Sequence, residues 1–243
     1  MTNYDPSTYG DQIADVYDSL FGDPDQSAIA ILAELAGKGP ALELGIGTGR
    51  IALPLSERGV VVHGIDASTA MIERLRKKPG GADIPVVLGD FSRMSIEKRF
   101  ALIFIAFNTF FGLQTQEEQI RCFRSVASHL SEDGLFLIEA FVPDMTRFDR
   151  GQRLAVSRIE PDKVWIEAAR HNASMQLVDS QLVRLSNEGV RMFPVRIRYA
   201  WPAELDLMAQ LAGLALRNRW GGWQRQPFSS ASSFHVSVYA RVS

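Results

Sequence analysis

Leu42-Glu43-Leu44-Gly45-Ile46-Gly47-Thr48-Gly49-Arg50 is the stretch on which the reading of this chain turns. The apolar run at 41–44 (ALEL) leads straight into glycines at every second position, and a helix-compatible stretch, 50–58, follows. Glycine lets the backbone take positive φ and approach a ligand with no Cβ in the way. Amides left free where a helix begins suit anionic or polar groups. A glycine triplet also makes an ordinary tight turn. Its place after a buried strand carries more weight, because open α/β sheets bind ligands at the carboxyl ends of their strands.

The same alternation continues outward. Apolar runs at 60–65 (VVVHGI), 86–88, 101–107 (ALIFIAF) and 135–138 end at Asp66, Gly89-Asp90, Asn108 and Glu139. Runs that are apolar throughout and closed by turn residues predict strands buried on both faces, as in a parallel sheet. Helices are expected over 26–36, 50–58, 68–78 and 116–130. Ser68 is expected to cap the third of these, Glu132-Asp133-Gly134 to close the fourth, and Pro54 to kink the second. This βαβ rhythm predicts a doubly wound α/β sheet. Past residue 147 the pattern changes. VWIEAARHN, SMQLVDSQLVRL and VRMFPVRIRYA read as antiparallel strands, with Asn187-Glu188-Gly189 as a hairpin turn. A helix at 203–211 and strands at 214–220 and 234–242 then return. The expected division is 1–147, a core with an N-terminal cap; 148–200, an antiparallel β insertion acting as lid or dimer element; and 201–243, the C-terminal part of the core sheet.

The 243 residues include 26 Lys+Arg against 28 Asp+Glu, a formal net charge of −2, with 46% hydrophobic and 22% charged residues. These values exclude wholesale disorder and show no electrostatic footprint of a dedicated nucleic-acid binder. The single Cys122 excludes an intrachain disulfide and a multi-cysteine zinc site. His63, His129, His171 and His235 are scattered, so no metal is expected. No apolar run approaches the roughly 18 residues of a membrane helix. The first residues lack the charged and apolar regions of a signal peptide. A cytoplasmic protein with no membrane partner is the expectation.

The dinucleotide fingerprint G-x-G-x-x-G would need a glycine where Arg50 stands. Gly45-x-Gly47-x-Gly49 instead resembles the loop of class I S-adenosylmethionine-dependent methyltransferases. Six further segments resemble that family in order: Asp66 at the end of VVVHGID; Leu88-Gly89-Asp90-Phe91; the strand tip in LIFIAFNTFFGL; Ser131-Glu132-Asp133-Gly134 before LFLIE; and the late WPAELDLMAQLAGL and SFHVSVYARV. The resemblance covers most of the chain apart from 148–200. It implies a seven-stranded Rossmann-like sheet with a small antiparallel β insertion. It also implies S-adenosyl-L-methionine as cofactor, held by Glu43, Gly45, Gly47, Gly49, Asp66, Ala67, Met71, Asp90, Phe91, Ala106 and Asn108. In the implied arrangement Asp66 accepts from the ribose hydroxyls, and Asp90 accepts from the adenine amino group with Phe91 against the ring. The backbone at 106–109 passes the methionine part. Glu43 orients the glycine loop and helps bind the amino group.

The start IADVYDSLFG, the FVPD turn and the inserted strands resemble small-molecule members of the family, especially amino-sugar N-methyltransferases. The implied acceptor is a small molecule, an amine methylated by direct in-line transfer. O- or C-methylation of a small metabolite, and a non-catalytic S-adenosylmethionine-binding module, stay open. Phe107-Asn108-Thr109-Phe110 lacks the Asn/Asp-Pro-Pro-Tyr type of motif found in enzymes that methylate base nitrogens, so no nucleic-acid partner is expected. Arg50 disfavours a nicotinamide oxidoreductase, and no carboxylate cluster is assignable to magnesium. The catalytic candidates are Tyr17, in the segment that often closes over the cofactor in this family, and Glu139, which could orient an amine. Their plainer readings are a packed core tyrosine and a supporting carboxylate. Arg147, Arg150, Arg153 and Arg158 are a solvated face or a grip on an anionic handle. A homodimer is left open.

Overall fold

Every residue of β1 (Ala41–Leu44) is buried, and the main sheet grows out on both sides of it. The structure is a computed structural model and describes residues 4–242. On one side lie β2 (Val62–Asp66) and β3 (Val86–Leu88); on the other, β4 (Phe100–Ile105) and β5 (Leu130–Phe141). These five strands run parallel. Beyond β5 a second sheet intervenes in the sequence: β6 (Gln152–Glu160), β7 (Lys163–Asn172), β8 (Leu177–Ser186) and β9 (Gly189–Arg198). The chain then returns to the main sheet as β10 (Leu214–Trp220) and β11 (Phe234–Arg241), with β11 antiparallel to both β5 and β10. The order β10-β11-β5-β4-β1-β2-β3 makes a seven-stranded doubly wound sheet, and β6 to β9 form a separate four-stranded antiparallel sheet. The fold class expected from the sequence is the one observed.

Seven α-helices complete the described residues: α1 (Thr8–Ile13), α2 (Tyr17–Phe21), α3 (Gln26–Ala36), α4 (Ala52–Glu57), α5 (Thr69–Arg76), α6 (Gln116–His129) and α7 (Pro202–Leu211). Their starts follow local chemistry. Asp25 caps α3 through the Ser27 amide, and Ser68 caps α5 through the Met71 amide. At α6, Thr115 and Glu118 form a reciprocal capping box.

Three details differ from expectation. α4 begins at Ala52, so Pro54 falls in its first turn, where a missing N–H costs no helix bond; no kink is required. Residues 131–134 do not separate helix from strand. The ladder pairs Phe100 with Leu130 and then Leu102 with Leu135, so those residues bulge out of β5. Finally, β4 stops at Ile105, because Phe107 and Asn108 turn into the left-handed region.

The core on one side of the sheet is built on edge-to-face aromatics. The Phe123 ring lies 5.5 Å from Phe110, 5.3 Å from Phe136 and 5.7 Å from Tyr239. The second sheet joins the body through its inner face. Its buried Trp165 and Phe193 pack with Ile13 and Ala14 at the end of α1 and with Met71 of α5. Arg191 of β9 adds a two-pronged pair to Asp15, with contacts of 2.5 and 3.1 Å. The N-terminal helices are thereby held against both sheets. No helix among the described residues is long and apolar enough to cross a membrane.

Candidate functional site

The site residues gather at the carboxyl ends of β1, β2, β3 and β4. After β1 the chain turns through Gly45, whose amide donates to the Ile65 carbonyl at 2.8 Å. Gly45, Gly47 and Gly49 all have positive φ, at 77°, 55° and 77°. Their surroundings separate them. A Cβ on Gly45 would meet the Thr109 side chain, and one on Gly49 would meet Leu75 and Leu53, whereas Gly47 faces open space within 4 Å. Gly47 is therefore the position of the loop where a ligand can lie against bare backbone.

Asp66 ends β2 and ties this loop to the next helix. Its Oδ2 accepts from the Gly47 amide at 2.7 Å and its Oδ1 from the Ser68 amide at 2.8 Å. Burial raises its pKa, and those amide bonds oppose the rise. Asp90, after β3, accepts from the Ser92 amide at 2.7 Å and the Ser92 hydroxyl at 2.8 Å. The Phe91 ring is partly buried against the aromatic core. Ala67 follows Asp66 directly, and its amide also faces that carboxylate. Met71, on the first turn of α5, is buried in a cluster with Ile13, Trp165 and Phe193.

Glu43 is the anomaly of β1. It is 5% exposed, and its Oε2 has no hydrogen-bond partner. Burial pushes its pKa well above the usual carboxylate range, while the nearby Arg50 guanidinium pulls it back and Asp66 pushes it further up. The same guanidinium charge acts on Tyr17, the first residue of α2, whose hydroxyl is shifted upward chiefly by burial and pulled back by Arg50. α2 is thus laid beside the glycine loop. It is pinned there by Asp18, which accepts from the Thr48 hydroxyl at 2.6 Å and pairs with Lys78 at 2.8 Å. From α1, Asp11 accepts from the Ser68 hydroxyl at 2.6 Å.

At the tip of β4, Ala106 is buried and Asn108 accepts from the Phe141 amide at 2.7 Å. Glu139 was read as a carboxylate that orients an amine or as a supporting one. Its Oε2 accepts from the Phe107 amide at 2.7 Å and its Oε1 from the Trp223 indole at 2.8 Å. Both oxygens are engaged by protein donors. Three other polar side chains, His171, Arg147 and Arg153, are engaged within the protein. His171 stacks on Phe148 with ring centroids 4.8 Å apart and lies 3.0 Å from the Tyr199 hydroxyl. Arg147 and Arg153 both approach Glu167, at 3.6 and 3.7 Å.

A family described as a methyltransferase domain matches residues 41–134, the span holding the glycine loop, Asp66 and Asp90. The CcbJ methyltransferase of Streptomyces caelestis is 41% identical, with a TM-score of 0.93 over 99% of this chain and 100% of that one. The chain belongs to the S-adenosylmethionine-dependent methyltransferases. The cypemycin N-terminal methyltransferase of a Streptomyces species is 29% identical over 98% of this methyltransferase and 99% of that protein. A S-adenosylmethionine-bound amino pentose methyltransferase from Micromonospora echinaspora shares the fold, with a TM-score of 0.69 at 19% identity over 93% and 97% of the two chains.

S-adenosylmethionine is therefore the methyl donor of this enzyme. Two observations fit it to the crevice. Glu43 offers a buried, unpartnered oxygen to a cationic N–H donor, and Gly47 leaves backbone uncovered beside Asp66. Arg50 and Trp223 escaped the reading of the sequence as site residues. The signal for Arg50 was present, since it stands in the fingerprint position used above only to reject a dinucleotide. Trp223 carried none, because its partner Glu139 lies 84 residues away.

Proposed function

We propose that this methyltransferase transfers the methyl group to the nitrogen of a small-molecule amine. The engagement of Glu139 carries the reading. A hydroxyl acceptor generally needs a base within hydrogen-bond reach, while an amine needs only to arrive unprotonated. The carboxylate expected at that place is already bonded to Phe107 and Trp223. The names of the cypemycin and amino pentose methyltransferases, one an N-terminal and the other an amino-sugar enzyme, support the same choice.

S-adenosylmethionine supplies an electrophilic methyl on a sulfonium. In our reading Asp66 takes the ribose hydroxyls on the lone pairs its amide bonds leave free, with Gly47 as the bare backbone beneath. Asp90 and Phe91 take the adenine. Glu43 takes the amino group and Arg50 the carboxylate. The backbone at Ala106 and Asn108 borders the methionine part. Tyr17, with Phe21 and Phe107, walls the crevice on the acceptor side and excludes water, which helps a reaction that depends chiefly on orientation. The test uses ligand-free protein and calorimetric titration with S-adenosylmethionine, S-adenosylhomocysteine and NAD. The first two bind and NAD does not, and Asp66→Ala weakens them by about tenfold. A panel of primary and secondary amines with their hydroxyl counterparts then yields S-adenosylhomocysteine from the amines. Product from the hydroxyl compounds alone overturns N-methylation.

We further read 148–200 as a self-association element. The outer face of the second sheet bears Leu154, 77% exposed, with Val156 and Ile159 on the same edge strand and Val190 and Met192 on the far edge, and Ile166 and Val183 in register between them. Contiguous apolar surface of this kind marks an interface. The enzyme is expected to sediment as a dimer and the Leu154→Asp/Met192→Asp variant as a monomer. A monomeric wild type ends this reading.

A further inference from the structure

Phe107 and Asn108 adopt consecutive left-handed conformations, with φ of 56° and 65°, and neither is glycine. Such conformations persist only where their surroundings over-determine them. Here the constraint comes from behind. Glu139 receives the Phe107 amide on Oε2 at 2.7 Å and the Asn108 amide on its backbone carbonyl at 3.3 Å. Its other carboxylate oxygen receives the Trp223 indole at 2.8 Å. Both side-chain bonds are charge-assisted, so together they fix the carboxylate plane.

Trp223 is itself immobilised. It is 5% exposed and lies in the loop between β10 and β11. That loop is closed by the Gly221 amide on the Gln226 carbonyl at 2.8 Å and the Arg225 amide on the Gly222 carbonyl at 3.1 Å. The neighbouring Gln224 donates to Asp25 and Ser27 at the start of α3, at 3.2 and 3.1 Å. In front, the Phe107 ring is 40% exposed and meets the cap. Its centroid lies 5.0 Å from Phe21 of α2, edge to face, and the Arg50 guanidinium sits 4.5 Å over it. Tyr17, at the other end of the same helix, packs on Phe21 with ring centroids 4.8 Å apart. The strand tip therefore meets the N-terminal cap through one ring, and that ring's position is set by an unusual backbone turn.

We propose that Trp223 and Glu139 are positioning residues that hold the Phe107–Asn108 turn, so that the Phe107 ring latches α2 over the donor site. The inference rests on placing the donor in the crevice between Gly47 and Asp66. Without the indole the Glu139 carboxylate can rotate, the Phe107 amide loses a fixed acceptor, and the turn relaxes toward ordinary backbone. The ring then leaves its place between Phe21 and Arg50, and bound ligand escapes faster.

The experiment loads the enzyme with S-adenosylhomocysteine and follows its release by stopped-flow. Trp223→Phe keeps the packing and removes the donor; Glu139→Gln keeps the shape and spoils one acceptor. Each is expected to speed release about tenfold, with the melting temperature within about 3 °C of wild type. Phe107→Ala is expected to speed release at least as much. Adding Trp223→Phe or Glu139→Gln to Phe107→Ala should then change nothing further, because the latch they serve is gone. Wild-type release from both Trp223→Phe and Glu139→Gln overturns the proposal. So do effects that add to Phe107→Ala, which would mark a general loss of packing. Asp66→Ala separates the two readings: if it leaves affinity unchanged, the donor placement has failed, whereas weakened binding there with wild-type release in the clamp variants removes the clamp alone.

Discussion

A Glu43→Gln enzyme is expected to bind S-adenosylmethionine about 30-fold more weakly and, without donor, to resist urea better than wild type. Both effects come from one buried carboxylate. Glu43 lies inside β1 with an unpartnered Oε2, and burial holds its pKa well above the ordinary 4.5 despite the opposing pull of Arg50. An acid whose folded pKa is raised is stabilising only while it keeps its proton. As the pH climbs from 4.5 toward the folded value, the unfolded chain ionises first, and donor-free stability falls across that window. Glutamine removes that slope. A cationic amino group set against Oε2 reverses the preference and draws the proton off. Calorimetry in buffers of different ionisation enthalpy should therefore record proton release on donor binding in wild type and none in Glu43→Gln. Hydrogen bonds to charged groups are worth about 1.5–3 kcal/mol, which brackets the expected loss. Unchanged affinity would leave Glu43 as a strained core residue with no part in donor binding.

The parts of this enzyme that were legible in its sequence are those encoded within a few residues. The alternating glycines after ALEL, Asp66 at the end of an apolar run and the capping residue Ser68 each announce a local conformation. The hairpin at Asn187-Glu188 is of the same kind, with Ser186 pairing Gly189 across it. Short helices were not legible. α1 and α2 span six and five residues, too few to show a period, and they are held by tertiary contacts such as Asp11 to Ser68 and Asp15 to Arg191. The environment of Glu139 was out of reach for the same reason. Its place at the end of β5 could be read, but its donors arrive from residues 32 and 84 positions away. Periodicity reports the face a residue presents to its own element, not which remote N–H occupies it.

Replacing Arg198 by Met is expected to cost about 3–5 kcal/mol in chemical denaturation, the largest stability effect anticipated for a single change in this enzyme. Arg198 ends β9, is 6% exposed, and sits where the second sheet meets α6 and α7. Its guanidinium donates to Gln119 at 2.6 Å, Gln176 at 3.0 Å and Glu204 at 2.8 Å, and its carbonyl accepts from Gln119 at 2.8 Å. Burial works against the Glu204 carboxylate, yet the bonds from Gln176 and Arg198 hold its pKa below the usual range. Removing the cation leaves that carboxylate half-buried without its charged partner, and that desolvation dominates the cost. Arg198→Met/Glu204→Leu should therefore recover most of the loss, as paired removal of buried charges commonly does. Recovery would locate the penalty in the orphaned charge. If the double variant is no better than Arg198→Met, the penalty lies in the two lost guanidinium bonds, to Gln119 of α6 and to Gln176 just before β8. In that case the seating of the whole second sheet, and with it the Asp15–Arg191 grip on the cap, depends on hydrogen-bond geometry and not on charge.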